Sequence, residues 1–525
     1  MDSATTPPTP PIASAIPPVA GSPPFNAANE IAAAAAADGL QVELFDPRER
    51  FWTAGTLTYT RGRLVSLFFW LLSGDFFWQF RERAIGPAIP LLLRKFGAND
   101  LVASTLIGFI PPGLTVLLSP VISFRSDRLR TRWGRRIPFL LLSTPPAFLA
   151  MVGLALSPFI GGRIHHALGS ASPGSAVCVV GTFAVFWVVF DVAVIVTGAV
   201  HGALVNDVVP REVIGTFFGL FRMASLGAGM LFFYFLLGKV ETHYVAIFLS
   251  IGTAYAVCFT VMCLKVKEGT YPPPEPPAEG GPFRRLIAAI ASYCYDCFSR
   301  PYYLWFFLSY FLTFVGFAPV NLFSVYFAQS VGMSMTTYGK YSTIQLALSL
   351  VQAPLLGLIA DKVHPLRLTL FALAMYSALT GAAYLLVHDW WTFALSHVIC
   401  GTVSGIWLTG SAPLAPALLP KLKFATFASV LVIADAAAKM VTSLIVGAIM
   451  EHLNHGKPPE MRDYHLMYLW ASVFVGLSFV VMLVVHRYFM KYGGPRGYVA
   501  PEPAERPAVA RGFAVVGDDP SRGER

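Results

Sequence analysis

Runs of about twenty apolar residues recur along most of this chain, and they limit what it can fold into more than any other feature. A bilayer core about 30 Å thick is crossed by roughly twenty helical residues, and inside it each backbone amide must be bonded within its own helix. Runs of that length, set apart by turn residues or charges, fall at 64–92, 101–124, 137–160, 176–200, 217–239, 244–264, 303–328, 341–360, 366–387, 391–414, 427–450 and 466–487. Twelve crossings are expected. Of 525 residues, 55% are hydrophobic and only 13% charged, far from the balance of soluble proteins. The expected class is therefore an all-α membrane protein whose first partner is the lipid bilayer.

The net charge of +9 does not point to nucleic acid, because the basic residues lie in short clusters between apolar runs and not along one face. Lys and Arg in the loops after even-numbered runs outnumber those after odd-numbered runs by more than two to one. The positive-inside rule then places both termini in the cytoplasm of a multi-pass protein of the cell membrane, the inner membrane if the source is bacterial. Six cysteines in so long a chain make no disulfide framework, and the Cys294/Cys297 pair lacks the second pair that a zinc site would need. No metal site is expected, and His452, His455 and Glu451 read as a solvated polar loop.

The first sixty residues hold proline clusters and an alanine run without the basic start of a signal peptide. Such a composition does not bury enough surface to offset its ordering entropy. A second proline-rich stretch, YPPPEPPAEGGP, divides six runs from six. The expected division is a disordered cytoplasmic extension over 1–60, a six-helix bundle over 61–264, a cytoplasmic linker over 265–302, a second bundle over 303–490, and a disordered cytoplasmic tail over 491–525. An internal repeat supports two pseudo-symmetric bundles. SPVISFRSDR (119–128) resembles APLLGLIADK (353–362), each with a proline seven residues before Asp127 or Asp361. VPREVIGTFFG (209–219) resembles LPKLKFATFAS (419–429) in the corresponding later loop.

The strongest local motif is SDRLRTRWGRRIPF, Ser126 to Phe139. It forms a tight basic loop, in which Asp127 is expected at the N-terminus of a facing helix and Arg128 and Arg132 are expected to pair with acids across the interface between the bundles. This loop resembles the signature of the major facilitator superfamily, and its full form is most similar to the branch of sucrose transporters and glycoside-pentoside-hexuronide cation symporters. FWVVFDVA, Phe186 to Ala193, is similar to a second segment of that branch. The resemblance implies two six-helix bundles working by alternating access, with conformational gating at Asp127, Arg128, Arg132, Gly134, Arg135, Arg136 and Asp361, and a role in proton coupling for Asp191.

Ionisable residues within apolar helices are costly unless paired or hydrated, so each is a functional candidate. Asp191 lies in the fourth run. The first run carries SGDFFWQFRERAIGP, in which Asp75, Gln79 and Glu82 share a helical face while Arg81 and Arg83 diverge from it. Asp75 and Glu82 join Asp191 as candidates for proton coupling. Gln79, Arg81, Arg222, Asp435, Lys439, Trp187, Asn321 and Gln345 are the candidates for a substrate cavity, Asp435 and Lys439 being four residues apart on one face. Trp70, Trp78, Gln352 and Trp407 are further polar or aromatic candidates for a sugar ring. GTVSG (401–405) reads as close helix packing.

No GxxxxGK[ST] loop is present to cradle ATP, and no cofactor is expected beyond a proton or sodium as coupling ion. The function expected is secondary active symport of a small polar solute, a sugar or glycoside, driven by protons, by a monomer that is not an enzyme. Sodium coupling is the near alternative. A membrane scaffold or sensor that kept the fold and lost transport is the distant one.

Overall fold

The computed structural model describes residues 51–271, 293–420, 423–458 and 461–502. Asp361, most of the expected extension and much of the expected linker and tail lie outside the residues whose side chains or backbone are described. Among the described residues the chain forms twelve long helices: α1 (Arg61–Lys95), α2 (Asp100–Arg128), α3 (Ile137–Leu168), α4 (Ser175–Val208), α5 (Ile214–Phe235), α6 (Val240–Lys265), α7 (Pro301–Ser330), α8 (Met335–Val363), α9 (Pro365–Leu386), α10 (Trp390–Leu418), α11 (Phe424–Asn454) and α12 (Leu466–Lys491). Ten of them are long and apolar enough to cross a membrane, α1 and α8 being the other two. In α1 the apolar run is interrupted by Asp75 and the Arg81-Glu82-Arg83 series.

These helices are apolar on all sides. Along α3, Leu140, Ala147, Met151 and Leu154 are buried while Leu142, Leu149 and Phe159 are exposed, the pattern of a helix solvated by lipid on its outer face. With lipid tails as apolar as leucine, association relies on close backbone approach and hydroxyl pairs. A Cβ on Gly161 of α3 would come within 2.6 Å of the Val179 backbone in α4, and Ser143 and Thr197 share a hydrogen bond of 3.0 Å across the same pair. In the second half of the chain, Ser309 of α7 meets Ser478 of α12 at 2.9 Å, and Thr313 joins it at 2.7 Å.

Within the first half, α1 packs on α5 and α6, α3 on α4 and α6, and α2 on α4. Within the second, α7 packs on α11 and α12, α12 on α9, and α10 on α8 and α9. The halves meet chiefly where α5 lies against α8 and α2 against α11. Both contacts depend on glycine. A Cβ on Gly108 of α2 would stand 2.5 Å from Ser443 Cβ of α11, Gly447 of α11 is pressed on Ser104, and Gly339 of α8 on the Phe233 carbonyl.

α2 is not uniform. Thr105–Phe109 is a π-helical turn, and the Ile110 amide bonds back to the Thr105 carbonyl. Pro111 follows and has no amide to offer, so the Leu106 carbonyl loses both its α-helical and its π-helical donor. The indole N–H of Trp187 in α4 fills that role, donating to it at 2.7 Å.

Two expectations are corrected at the chain's edges. Residues 51–60 are ordered: strands β1 (Trp52–Ala54) and β2 (Leu57–Tyr59) form an antiparallel hairpin turning at Gly55, whose φ is +58°. Thr56 at its tip accepts a 2.9 Å hydrogen bond from the Thr270 amide beyond α6. The start of the expected tail is ordered too. Tyr498 donates to the Leu418 carbonyl at 2.7 Å, and the Pro501 carbonyl accepts from Tyr303 at 2.6 Å. In both cases hydrogen bonds to distant parts of the chain supply order that local composition does not.

Candidate functional site

The basic loop comes first because it sets the ends of the bundle. Arg135 reaches Asp207 at the end of α4 at 2.8 Å, and Arg136 bonds both Asp207 at 3.2 Å and Asp127 at 2.5 Å. These are contacts within the first half. Asp127 does not occupy a helix N-terminus; Glu268, just beyond α6, does. Its carboxylate accepts the amides of Arg135, Arg136 and Ile137 at 2.8, 2.8 and 2.6 Å, where the helix dipole favours an anion. Gly134, at φ +103°, leaves the room that this carboxylate fills. Among the described residues Arg128 lies over Phe124 and Arg132 over Trp133, and neither meets an acid of the second half. Arg135 also covers the Tyr271 ring at 4.0 Å, and burial, with Asp207 and Glu268 nearby, pushes that phenol up to about 12.

Polar contacts between the halves gather at the opposite end. Asp100, at the start of α2, receives hydrogen bonds from Tyr464 at 3.0 Å, from Asn454 at 3.4 Å and from Arg462 at 3.4 Å, and its own amide donates to Glu451 at 2.9 Å. Arg94 bonds the Tyr326 carbonyl and Gln329, which in turn donates to Glu241 at 2.8 Å. Glu451, read from the sequence as part of a solvated loop, instead lies in the last turn of α11 with its carboxylate on the Asp100 amide. The others did not stand out in the sequence, since a charge near a helix end is ordinary there.

Between the two ends, the first half presents a polar wall. Glu82 is open, with its side chain 49% exposed, and its charge acts on the half-buried Asp191. Arg83, the next residue, donates to Ser225 of α5 at 3.3 Å, and Ser225 donates to Gln79 at 3.1 Å. Arg83 also lies beside Gly229, where Leu346 of α8 approaches, so this turn of α1 borders the space between the halves. Arg222 stands near Arg83 and repels it, and is not placed as a counter-charge to Asp191. One oxygen of Asp191 is buried without a hydrogen-bond partner among the described residues.

Two cavity candidates lie elsewhere. Trp187 is buried in the apolar core, its indole bonded to α2. Arg81 is fully buried inside the first half, its guanidinium 4.3 Å from the Tyr255 ring and 5.2 Å from Phe190 and reaching the wall only through one nitrogen 3.5 Å from the Glu82 carboxylate. Asp75 is likewise enclosed, 3.7 Å from the imidazole of His201. The rule that singles out Asp191 applies equally to His201, a single histidine in an apolar run.

The second half contributes a cavity of about 240 Å³ lined by Asn321, Gln345, Tyr376, His397 and Trp407 among others. His397, absent from the sequence candidates, is 3.1 Å from Ser342 Oγ and stacks on Phe393. Trp407 is held edge-on by Phe317 at 5.2 Å with its indole N–H unpartnered among the described residues. Gly401 and Gly405 do pack closely, making room for Gln345 and Gln352. Asp435 and Lys439 pair within α11 at 2.7 Å.

A family model for MFS/sugar transport proteins matches residues 92–492. The chain belongs to the major facilitator superfamily. This transporter's fold is similar to a bacterial homolog of the human lysosomal transporter Spinster in an inward-facing, unoccupied conformation, with a TM-score of 0.61 at 14% identity over 81% of this chain and 98% of that one. It is also similar to a bacterial homologue of the iron transporter ferroportin in the inward-facing state (TM-score 0.59, 16% identity, 80% and 99% covered). A D-xylose-proton symporter matches with a TM-score of 0.56 at 15% identity over 80% and 97%. No protein of curated function matches the sequence. The superfamily assignment makes this chain a multi-pass membrane transporter of a small molecule.

Proposed function

We propose that this transporter carries a sugar or glycoside by proton symport, with the solute bound between a charged wall in the first half and the aromatic and amide-lined cavity of the second. The observation that carries this reading is the meeting of two chemistries across one space. From the first half Glu82 is exposed on the turn of α1 that borders the space between the halves, with its charge acting on Asp191, while Asn321, Gln345 and Trp407 line the cavity of the second. Amides suit sugar hydroxyls, an indole face suits the C–H side of a ring, and about 240 Å³ is a small-solute volume, just under the roughly 300–1,000 Å³ of larger ligand sites. The sugar-transport description of the matching family and the fold shared with a xylose–proton symporter support the same substrate class.

Asp191 is the coupling carboxyl in this reading. Beside Glu82 in a semi-enclosed place, it gains by taking up a proton, and the bound proton removes the repulsion between the two acids. By the positive-inside rule the basic loop lies on the cytoplasmic side, so the contacts around Asp100 close the outer end between the halves. The test is accumulation of radiolabelled mono- and disaccharides in proteoliposomes under an imposed pH gradient. Wild type should concentrate at least one sugar, and Asp191→Asn should lower that accumulation at least tenfold. Accumulation that follows a sodium gradient and ignores pH would overturn proton coupling.

A further inference from the structure

Asp75 of α1 and His201 of α4 form an enclosed pair below the charged wall. Both side chains are buried, with His201 Nε2 3.7 Å from Asp75 Oδ1. The rings of Trp78 at 5.2 Å and Phe259 at 5.9 Å close over the imidazole. Neither carboxylate oxygen and neither ring nitrogen has a hydrogen-bond partner among the described residues. An isolated charge in such a place is expensive. One proton held in common leaves the pair without net charge, whether it sits on the carboxyl or on the imidazole. A second proton, or none, leaves a net charge to be buried.

The placement along the helices is as informative as the burial. Asp75 precedes Glu82 by seven residues, about 10 Å along α1 toward the basic-loop end at 1.5 Å per residue. α4 runs the other way, and His201 follows Asp191 by ten residues, about 15 Å toward that same end. The two pairs are therefore two levels of one ladder between α1 and α4. Gln79, one turn beyond Asp75 on the face that carries Glu82, stands between the levels.

We propose that Asp75 and His201 share one proton and form a second proton-binding station on the basic-loop side of Asp191, through which the coupled proton leaves. This rests on the proton-symport reading. In the loaded state the imidazole Nε2 bears the proton and donates it toward Asp75 Oδ1; on release the carboxylate and neutral imidazole remain, and no other bond changes. Other titratable or charged groups along the neighbouring stretches of the packed elements include Arg81, Glu82 and Arg83 on α1, Asp191 and Asp207 on α4, Arg222 on α5, and Tyr255, Cys258 and Cys263 on α6. α3 offers the hydroxyls of Ser143 and Thr144.

The test reads the imidazole directly. Full-length transporter labelled with [13Cε1]-histidine is titrated in lipid nanodiscs from pH 5 to 9, the His201 signal being assigned by its loss in His201→Gln. The expected result is a His201 that titrates within this range, and whose proton affinity falls at least tenfold in Asp75→Asn. A His201 that stays neutral throughout in both proteins overturns the station. In proteoliposomes, His201→Gln and Asp75→Asn should each flatten the dependence of sugar accumulation on external pH; a wild-type pH profile in both would equally overturn it. A wild type whose His201 titrates as expected but which concentrates no sugar under a pH gradient supports the station and refutes the sugar–proton reading instead.

Discussion

Gly134 and Glu268 show how one residue without a side chain is fitted by another. At φ +103° the loop backbone takes a conformation that costs an ordinary residue about 1–2 kcal/mol, and a Cβ there would overlap the Glu268 carboxylate. Gly134→Ala should therefore destabilise the transporter by at least about 1–2 kcal/mol and displace the carboxylate from the α3 amides, seen as a lower thermal midpoint in detergent. An unchanged midpoint would mean that the clamp adds nothing. The sequence made the basic loop visible, with Asp127, Arg135 and Arg136 in it, but not the acid that caps α3. Glu268 lies more than 130 residues from the amides it binds, and nothing near it in the sequence tells of a partner at that distance. Asp191 and Glu82 were legible because a charge in an apolar run is conspicuous by itself. Arg81 was equally conspicuous, yet only packing against Tyr255 and Phe190 decides that it is enclosed.

Among the elements, the long helices were the most readable. Each apolar run became a helix, and most extend several residues beyond it, as α1 does from 61 to 95, because backbone hydrogen bonding continues where the lipid-soluble residues end. The hairpin of β1 and β2 was unreadable for the opposite reason. Strands of three residues are marginal on their own, and Thr56 finds its partner only after six helices have returned the chain to the same end. The π-helical turn of α2 gives the test at this scale. Replacing Trp187 by Phe keeps the ring and removes the donor to the Leu106 carbonyl, leaving a buried acceptor unpaired at a cost of about 1–3 kcal/mol. Trp187→Phe should lower the thermal midpoint accordingly, and a stability equal to wild type would show that the turn needs no such support.

At the scale of the whole molecule, the polar network around Asp100 holds α2 to α11 and to the segment before α12. If the halves exchange between two arrangements, removing this network should favour the one in which that end is open. Asp100→Asn weakens its bonds to Arg462 and Tyr464, so spin labels placed on the Asp100 ends of α2 and α11 should show a larger population of long distances by double electron–electron resonance than in the wild type. Identical distributions would mean that the network does not set the balance. At the other end, the attachment of Glu268 to α3 has a mechanical consequence. The chain leaves the first half just after this residue, so a pull transmitted along the segment toward α7 is taken up at the clamp before it can peel α6 from its neighbours. The load passes into α3 and, through Arg135 and Arg136, into the end of α4. The ends of α3, α4 and α6 are thereby tied at one point, so that tension on the segment would load them together and not one at a time.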